Sequence, residues 1–231
     1  MTALPRREQN RRVKEARILE AAQHIFASEG YSGATMDAVA TQAGLTKPTL
    51  YQYFASKEAL FAAMMSARRD DMLLAFEGPG EPGVGASMVA QLYAFAWAYA
   101  DTVMRPDLLS LARLIIGEEQ RFPEIGQTYQ SSGPDRVLAG MMAYLTAQRD
   151  AGRLAFEDAE LAAQDLWGLI LSAPRTRALY QPEDPPGRAE IARYVENGLR
   201  VFLRAYSEDV TGDLAELEVV VTASLDSPPR P

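Results

Sequence analysis

The residues best suited to recognise another molecule lie between positions 46 and 53, where polar side chains surround the apolar Leu50. The outward positions of this short segment are Lys47, Pro48, Thr49, Gln52 and Tyr53. A lysine ammonium can donate to a guanine edge, and a threonine methyl or a proline ring can contact the methyl group of thymine. The segment therefore has the chemistry needed to contact the bases and the backbone of duplex DNA.

Two short helices joined by a tight turn would hold these side chains. Thr35 can cap the first helix, and Asp37 follows in its first turn, where the helix dipole favours an anion. Gly44 supplies a left-handed turn, and Thr46 caps a second helix that runs to about Phe54, with free N–H groups that attract phosphate. The spacing predicts a helix-turn-helix, whose second helix fits the major groove, although an ordinary corner between two bundle helices has the same outline.

The wider pattern resembles the signature of the TetR family of transcriptional regulators. The matching runs are Gly30-Tyr31, Ala34-Thr35-Met36, residues 43–54 (AGLTKPTLYQYF) and residues 56–61 (SKEALF). The match covers about residues 14–62, and many spaced positions agree at once. It implies that Thr35, Tyr51, Tyr53 and Lys57 contact DNA phosphates and that Lys47, Pro48 and Thr49 lie near base edges. Many family members carry His at the position of Tyr53.

The resemblance also implies a function. We expect a homodimeric repressor that binds palindromic double-stranded operator DNA and is released by a small lipophilic effector. An activator, or a regulator gated by a protein partner, is the alternative. The run 111–118 (LARLIIGE), followed by 121–124 (RFPE), resembles the AefR-like class of C-terminal domain, which points towards regulation of transport or stress responses.

The distribution of charge agrees with a basic N-terminal DNA-binding region. The net charge is −8, but residues 1–60 carry eight Lys and Arg against six Asp and Glu, whereas residues 61–231 carry fifteen against twenty-five. Salt screens the acidic remainder beyond roughly 10 Å, so a local basic patch can still meet phosphate. Residues 1–12 lack periodicity and predict a mobile arm, which either reaches the DNA or is simply a solvated tail.

Helical periodicity over the rest of the chain predicts an all-α fold with two domains. We assign residues 1–60 to a helix-turn-helix domain with a basic arm, residues 61–210 to a ligand-binding and dimerisation domain, and residues 211–231 to a C-terminal tail. Glycines and prolines at 78–85 predict a linker. Two long helices, at about 158–180 and 188–206, carry apolar faces that we expect to form a four-helix dimer interface: Leu161, Leu166, Leu169, Ile170, Ile191, Val195, Leu199 and Phe202.

Aromatic and methionine residues of the larger domain could line a pocket for a drug-sized effector. Such side chains provide an adaptable apolar surface, although core packing is the favoured explanation for each one taken alone. The candidates are Tyr93, Trp97, Met104, Phe122, Met141, Tyr144 and Trp167. Arg113 could bind a ligand or pair with Glu118, and the ion pair is favoured because an unpaired buried charge is costly.

The sequence offers no candidates for catalysis, a metal or a cofactor. It contains no cysteine and a single histidine, His24, and no paired carboxylates or activated nucleophile stand out. The first residues are polar and arginine-rich, unlike a signal peptide, and no stretch of about 18 apolar residues occurs. We therefore expect a cytoplasmic protein that is not an enzyme and has no membrane partner.

Overall fold

The structure, a computed structural model, describes residues 6–75, 86–132 and 134–226. Within those ranges the fold is all-α. The β-structure described there is a single isolated antiparallel bridge between Leu154 and Ser207. The helices are α1 (Arg6–Gly33), α2 (Met36–Gln42), α3 (Lys47–Tyr53), α4 (Lys57–Ala75), α5 (Met88–Val103), α6 (Pro106–Glu118), α7 (Pro123–Ser132), α8 (Pro134–Asp150), α9 (Ala159–Tyr180), α10 (Arg188–Tyr206) and α11 (Val210–Asp226). The predicted fold class is confirmed. The linker predicted at 78–85 lies outside the described residues.

The described residues form two compact units. The first contains those within 1–72 and 110–134, and the second contains those within 73–109 and 135–231. The first unit thus includes most of α6, from Ser110 onwards, and all of α7, which the sequence-based division assigned to the larger domain. The physical reason is that side chains at the end of α6 and in the following turn pack against the end of α1.

Helix α1 begins at Arg6, so residues 6–12 are helical where the sequence suggested a mobile arm; residues 1–5 lie outside the described part. An ion pair between Glu8 and Arg12, at 3.7 Å and one turn apart, favours this extension. The helix is interrupted at Gly30, whose φ of 73° and ψ of 170° are not helical. Glycine adopts a positive φ without the steric penalty that a side chain brings.

The core of the first unit is built from aromatic rings. The Phe61 ring meets the rings of Phe26 and Tyr31 edge-on at 5.3 and 5.2 Å, and Phe26 stacks on Tyr31 at 5.6 Å. Ile18 and Leu50 are also fully buried, so the second helix of the helix-turn-helix is anchored in the core through its apolar face. Because Leu50 is anchored in the core, the opposite face of α3 is exposed to solvent.

The second unit surrounds a core formed by α5, α8, α9, α10 and α11. Helices α9 and α10 approach closely at Gly198, where an added Cβ would lie 2.8 Å from the carbonyl carbon and oxygen of Leu169. The expected dimer face was mostly wrong in its residues, because these side chains lie at most 1% exposed in the chain's own core: Leu166, Ile170, Val195, Leu199 and Phe202. Leu161, by contrast, is 61% exposed.

The C-terminal segment also differs from the expected tail, because residues 210–226 form the helix α11. Leu217 is fully buried, and its neighbours Leu214, Val220 and Val221 pack against the same core. Their spacing of three and four residues places them on one helix face, which explains why the segment folds onto the unit. Residues 227–231 lie outside the described part of the chain.

None of the described helices combines the length and the apolar character needed to cross a membrane.

Candidate functional site

The helix-turn-helix is held by local hydrogen bonds that its sequence dictates. The Thr35 Oγ1 accepts from the N–H of Ala38 at 3.1 Å, which caps α2 as expected. Gly44 has a φ of 64°, which makes the turn between α2 and α3. The side chain of Arg17 lies over this turn, so that a Cβ added at Gly44 would sit 2.6 Å from its guanidinium. The backbone conformation therefore requires glycine, whereas the flexible Arg17 side chain could move away from an added methyl group.

The outer face of α3 is open to solvent. Leu50 is fully buried on the inner face, whereas Tyr51 is 43% exposed. Thr49 and Tyr53 are half-buried, and the remaining polar positions of the segment are exposed: Thr46, Lys47, Pro48 and Gln52. A short helix anchored on one side and polar on the other has the form that major-groove recognition needs. Thr35 is exposed as well, beside the start of α2.

The ammonium group of Lys47 is paired with Asp37 of α2. Its Nζ lies 2.8 Å from Oδ1 and donates to Oδ2 at 3.0 Å, and both side chains are exposed. The hydrogen bond from Lys47 to Asp37 and the carboxylate's charge raise the pKa of Lys47 above its ordinary value. The pair joins the two helices of the motif and directs the lysine towards a defined position at the surface.

Thr46 precedes α3 without capping it through its side chain. Its Oγ1 instead shares a hydrogen bond of 2.8 Å with the Oγ1 of Thr49. The expected side-chain cap was therefore wrong at this residue. The two hydroxyl groups lie on the outer side of the motif, where they can donate to or accept from a partner.

Lys57, at the start of α4, reaches back to the end of α1. Its Nζ donates to the carbonyl oxygens of Tyr31 at 2.8 Å and Ala34 at 3.3 Å, and lies 4.6 Å from the centre of the Tyr31 ring. Ser56 caps α4 by accepting from the N–H of Ala59 at 3.2 Å. An ammonium group has three N–H donors, and these two carbonyl oxygens of the described residues use two of them. Its phosphate contact stays a prediction.

Two residues that the DNA-binding prediction left out touch the end of α1. Glu118, the last residue of α6, accepts a hydrogen bond from the N–H of Ser32 at 3.1 Å. The ring of Phe122 lies edge-on to the ring of Tyr31 at 4.9 Å. Both residues lie in the run 111–124, which resembles a family feature, but the sequence pattern assigns Phe122 to an effector pocket and Glu118 to an ion pair with Arg113 instead of to this packing.

The predicted effector-binding residues divide between the units. Six belong to the second unit: Tyr93, Trp97, Met104, Met141, Tyr144 and Trp167. Arg113 and Phe122 belong to the first unit, where Arg113 donates to the hydroxyl of Ser110 at 3.0 Å. The eight residues are therefore not brought together in a single compact unit.

Buried polar groups occur inside the second unit. Tyr144 donates to the side-chain oxygen of Gln91 at 2.8 Å, and burial raises the pKa of this tyrosine. Among the described residues, the Nε1 of Trp167 and the Nε2 of Gln148 are buried without a hydrogen-bond partner. The Trp167 ring stacks on that of Tyr99 at 5.6 Å. The core thus combines flat aromatic surfaces with unsatisfied donors.

Two family models match the chain. Residues 18–64 match the bacterial regulatory proteins of the tetR family, and residues 90–208 match the C-terminal domain of AefR-like transcriptional repressors. The chain belongs to the TetR family of transcriptional regulators. The first match contains the whole helix-turn-helix, and the second covers α6 to α10 and most of α5.

Solved structures of TetR-family proteins resemble this one over most of its length. A TetR-family regulator from Mesorhizobium loti has 29% sequence identity and a TM-score of 0.76, covering 84% of this chain and 96% of that one. The flavonoid-responsive regulator FrrA has 30% identity and a TM-score of 0.71, covering 84% of this chain and 97% of that one.

The first curated relatives match only part of the chain. The transcriptional activator FasR of Mycolicibacterium smegmatis is 39% identical over 70 residues, which are 30% of this chain and 30% of the relative. The chain thus aligns with about a third or less of the length of the first curated relatives that it matches.

Proposed function

We propose that this TetR-family regulator is a ligand-responsive repressor that binds a palindromic operator as a homodimer. The observation that carries the proposal is the exposed polar face of α3, opposite the buried Leu50. In this arrangement Lys47, Pro48 and Thr49 would meet base edges. The phosphate contacts would come from the surrounding residues: Thr35, Thr46, Tyr51, Gln52, Tyr53 and Lys57.

The second element of the proposal is a two-fold dimer formed by α9 and α10. With the original apolar faces buried in the core, the surface available for a partner is the outer face of these helices. It retains exposed apolar side chains at Leu161 (61%), Tyr180 (79%), Tyr194 (37%) and Val201 (37%). A two-fold dimer would place two α3 helices about 34–36 Å apart, which is one turn of DNA.

The third element is an effector with a flat aromatic body and oxygen acceptors. Leaving a buried donor unsatisfied costs about 1–3 kcal/mol, so a ligand oxygen that accepts from Trp167 Nε1 or Gln148 Nε2 would gain affinity. The aromatic residues around them suit a planar ring system. The likeness to the flavonoid-responsive FrrA supports the same class of effector.

Release of DNA requires that the effector prefer the released conformation. A coupling free energy of about 1–3 kcal/mol would weaken operator binding roughly 5- to 150-fold. Helix α4 could transmit the change, because it begins at Lys57 in the first unit and its last residues belong to the second.

A footprint on the DNA that flanks the chain's own coding region tests the proposal. We expect the protein to protect a palindromic site and to lose it on addition of a flavone, with stearate as the comparison ligand. Sedimentation of the complex should show two chains on each site. Absence of any protected site, or one chain bound per site, would overturn the proposal.

The match to FasR, which is named an activator, favours one alternative, a DNA-binding activator. Transcription from the protected promoter with and without the protein separates the two functions. A repressor lowers the transcript level and an activator raises it.

A further inference from the structure

The turn between α6 and α7, together with the last residue of α6, forms a surface that holds the end of α1. We refer to residues 118–122 as the α6–α7 corner. Its contacts with α1 lie within the first unit, although they come from residues far beyond the 18–64 segment of the DNA-binding family model. The residues of the corner are not part of the helix-turn-helix and include none of its proposed DNA-binding residues.

The first contact is a hydrogen bond at the interruption of α1. Because Gly30 is not helical, the regular pattern of N–H to carbonyl bonds breaks there, and the N–H groups of the next turn need other acceptors. The Glu118 Oε1 accepts from the N–H of Ser32 at 3.1 Å. The same oxygen would lie 3.0 Å from a Cβ added at Gly30, so the carboxylate rests directly against the kink. A hydrogen bond to a charged acceptor is stronger than one between neutral groups.

The second contact is aromatic. The Phe122 ring meets Tyr31 edge-on at 4.9 Å, and Tyr31 is fully buried between Phe26 and Phe61. Aromatic pairs at this distance and angle contribute beyond the area they bury. The ring of Phe122 thus continues the aromatic core that supports the helix-turn-helix.

The third contact links the corner to the start of α4. The Lys57 Nζ lies 6.0 Å from the centre of the Phe122 ring and donates to the carbonyls of Tyr31 and Ala34. Ala34 immediately precedes Thr35, the N-cap of α2. The end of α1, the start of α2 and the start of α4 therefore meet at one cluster, and the corner fixes one side of it.

We propose that Glu118 is a positioning residue for operator binding, which it supports by fixing the kinked end of α1 and, through it, the start of α2. The proposal rests on the proposed DNA-binding function. Glu118 itself does not touch DNA. Its action depends on the reach of its oxygen to the Ser32 N–H and not on its charge, and Phe122 supports the same position through Tyr31.

Two conservative variants of the full chain separate reach from charge. Glu118→Asp keeps the charge but shortens the side chain by one CH2, so the carboxylate can no longer reach Ser32. Glu118→Gln loses the charge but keeps an oxygen at the same distance. Glu119→Ala is the matched control, because Glu119 is the exposed neighbour.

Two measurements are made on each variant. Hydrogen exchange of the Ser32 amide reports the bond directly and requires no DNA. Operator affinity, and its dependence on salt, is measured on the duplex protected by the wild-type protein in the footprint.

We expect Glu118→Asp to speed Ser32 exchange and to weaken operator binding about tenfold, as for loss of one hydrogen bond to a charged group, with an unchanged salt slope. Glu118→Gln and Glu119→Ala should stay within about threefold of the wild type, since a neutral hydrogen bond replaces a charged one in the former. Unchanged binding in Glu118→Asp, or equal losses in the Asp and Gln variants, would overturn the proposal. If the wild type protects no DNA, the proposed function fails, and unchanged exchange in Glu118→Asp would still refute the contact independently.

Discussion

Substitution of Gly198 by alanine sets two effects of opposite sign against each other in one helix. In the interior of α10, alanine is favoured over glycine by about 1 kcal/mol of helix propensity. The added methyl group, however, would lie 2.8 Å from the carbonyl carbon and oxygen of Leu169 and 3.0 Å from the amide nitrogen of Ile170. Ordinary contacts begin at 3.4 Å, so the α9–α10 pair must separate by several tenths of an ångström.

The cost of this separation exceeds the gain in propensity. Overpacking a core by one methyl group typically costs about 1–3 kcal/mol, and the upper half of that range applies because backbone atoms cannot rotate away. We therefore expect Gly198→Ala to lower the free energy of unfolding by about 1–2 kcal/mol, which lowers the Tm by roughly 2–8 °C in a protein of this size.

Thermal unfolding followed by circular dichroism measures the effect. The matched control is Gly140→Ala in α8, an exposed glycine with no atom within 4 Å of the added methyl group. It should raise the Tm by about 2–4 °C through helix propensity alone. A rise in Tm for Gly198→Ala equal to that of the control would refute the close packing of α9 and α10 at this residue.

Three further predictions concern local interactions. Tyr31→Phe removes a buried hydroxyl that has no partner among the described residues and should leave stability unchanged or raise it by up to about 1 kcal/mol in chemical denaturation. Burial raises the pKa of Tyr31 to about 12, so the free energy of unfolding of the wild type should fall as the pH rises from about 10 towards 12. The variant lacks this ionisation and should lose less stability over the same pH range. An equal loss of stability in both proteins would contradict the prediction. Lys47→Ala should weaken operator binding without changing the circular dichroism spectrum, and unchanged affinity in a gel-shift titration would exclude its base contact. Asp158→Ala removes the cap of α9 and should lower the free energy of unfolding by about 1 kcal/mol in urea, whereas no change would show that the cap is dispensable.

The helices were predictable because their signals are local. Gly44 predicts the turn of the helix-turn-helix, and it has the expected left-handed conformation. Thr35 predicts the cap of α2, and its hydroxyl oxygen accepts the expected hydrogen bond. Periodicity of apolar residues located α9 and α10 within a few residues of their bounds. The resemblance to the TetR family added the class of partner, duplex DNA, because propensity alone left an ordinary helix corner as an alternative.

What the sequence could not supply are the partners of each helix face. Leu166 and Val195 were recognised as apolar, but periodicity does not say whether such a face meets the chain's own core or a second chain. The sequence around Leu217 predicts a tail because its apolar run is short, whereas the helix that forms there is stabilised by packing on the core. The bond between Glu118 and Ser32 joins residues 86 positions apart, which no local pattern reveals.

The pairing of Lys47 with Asp37 has a consequence for how the protein would search a genome. Lys47 is the only charged residue of α3, and it already has a counter-charge before any DNA arrives. On an arbitrary DNA sequence, Lys47 would exchange the Asp37 carboxylate for a phosphate, with little gain in binding free energy. A correctly placed guanine instead offers hydrogen-bond acceptors in a defined direction. Asp37 would thus shorten the residence time of the protein on non-specific DNA, so that the residence time at a site would depend mainly on the contacts with its bases.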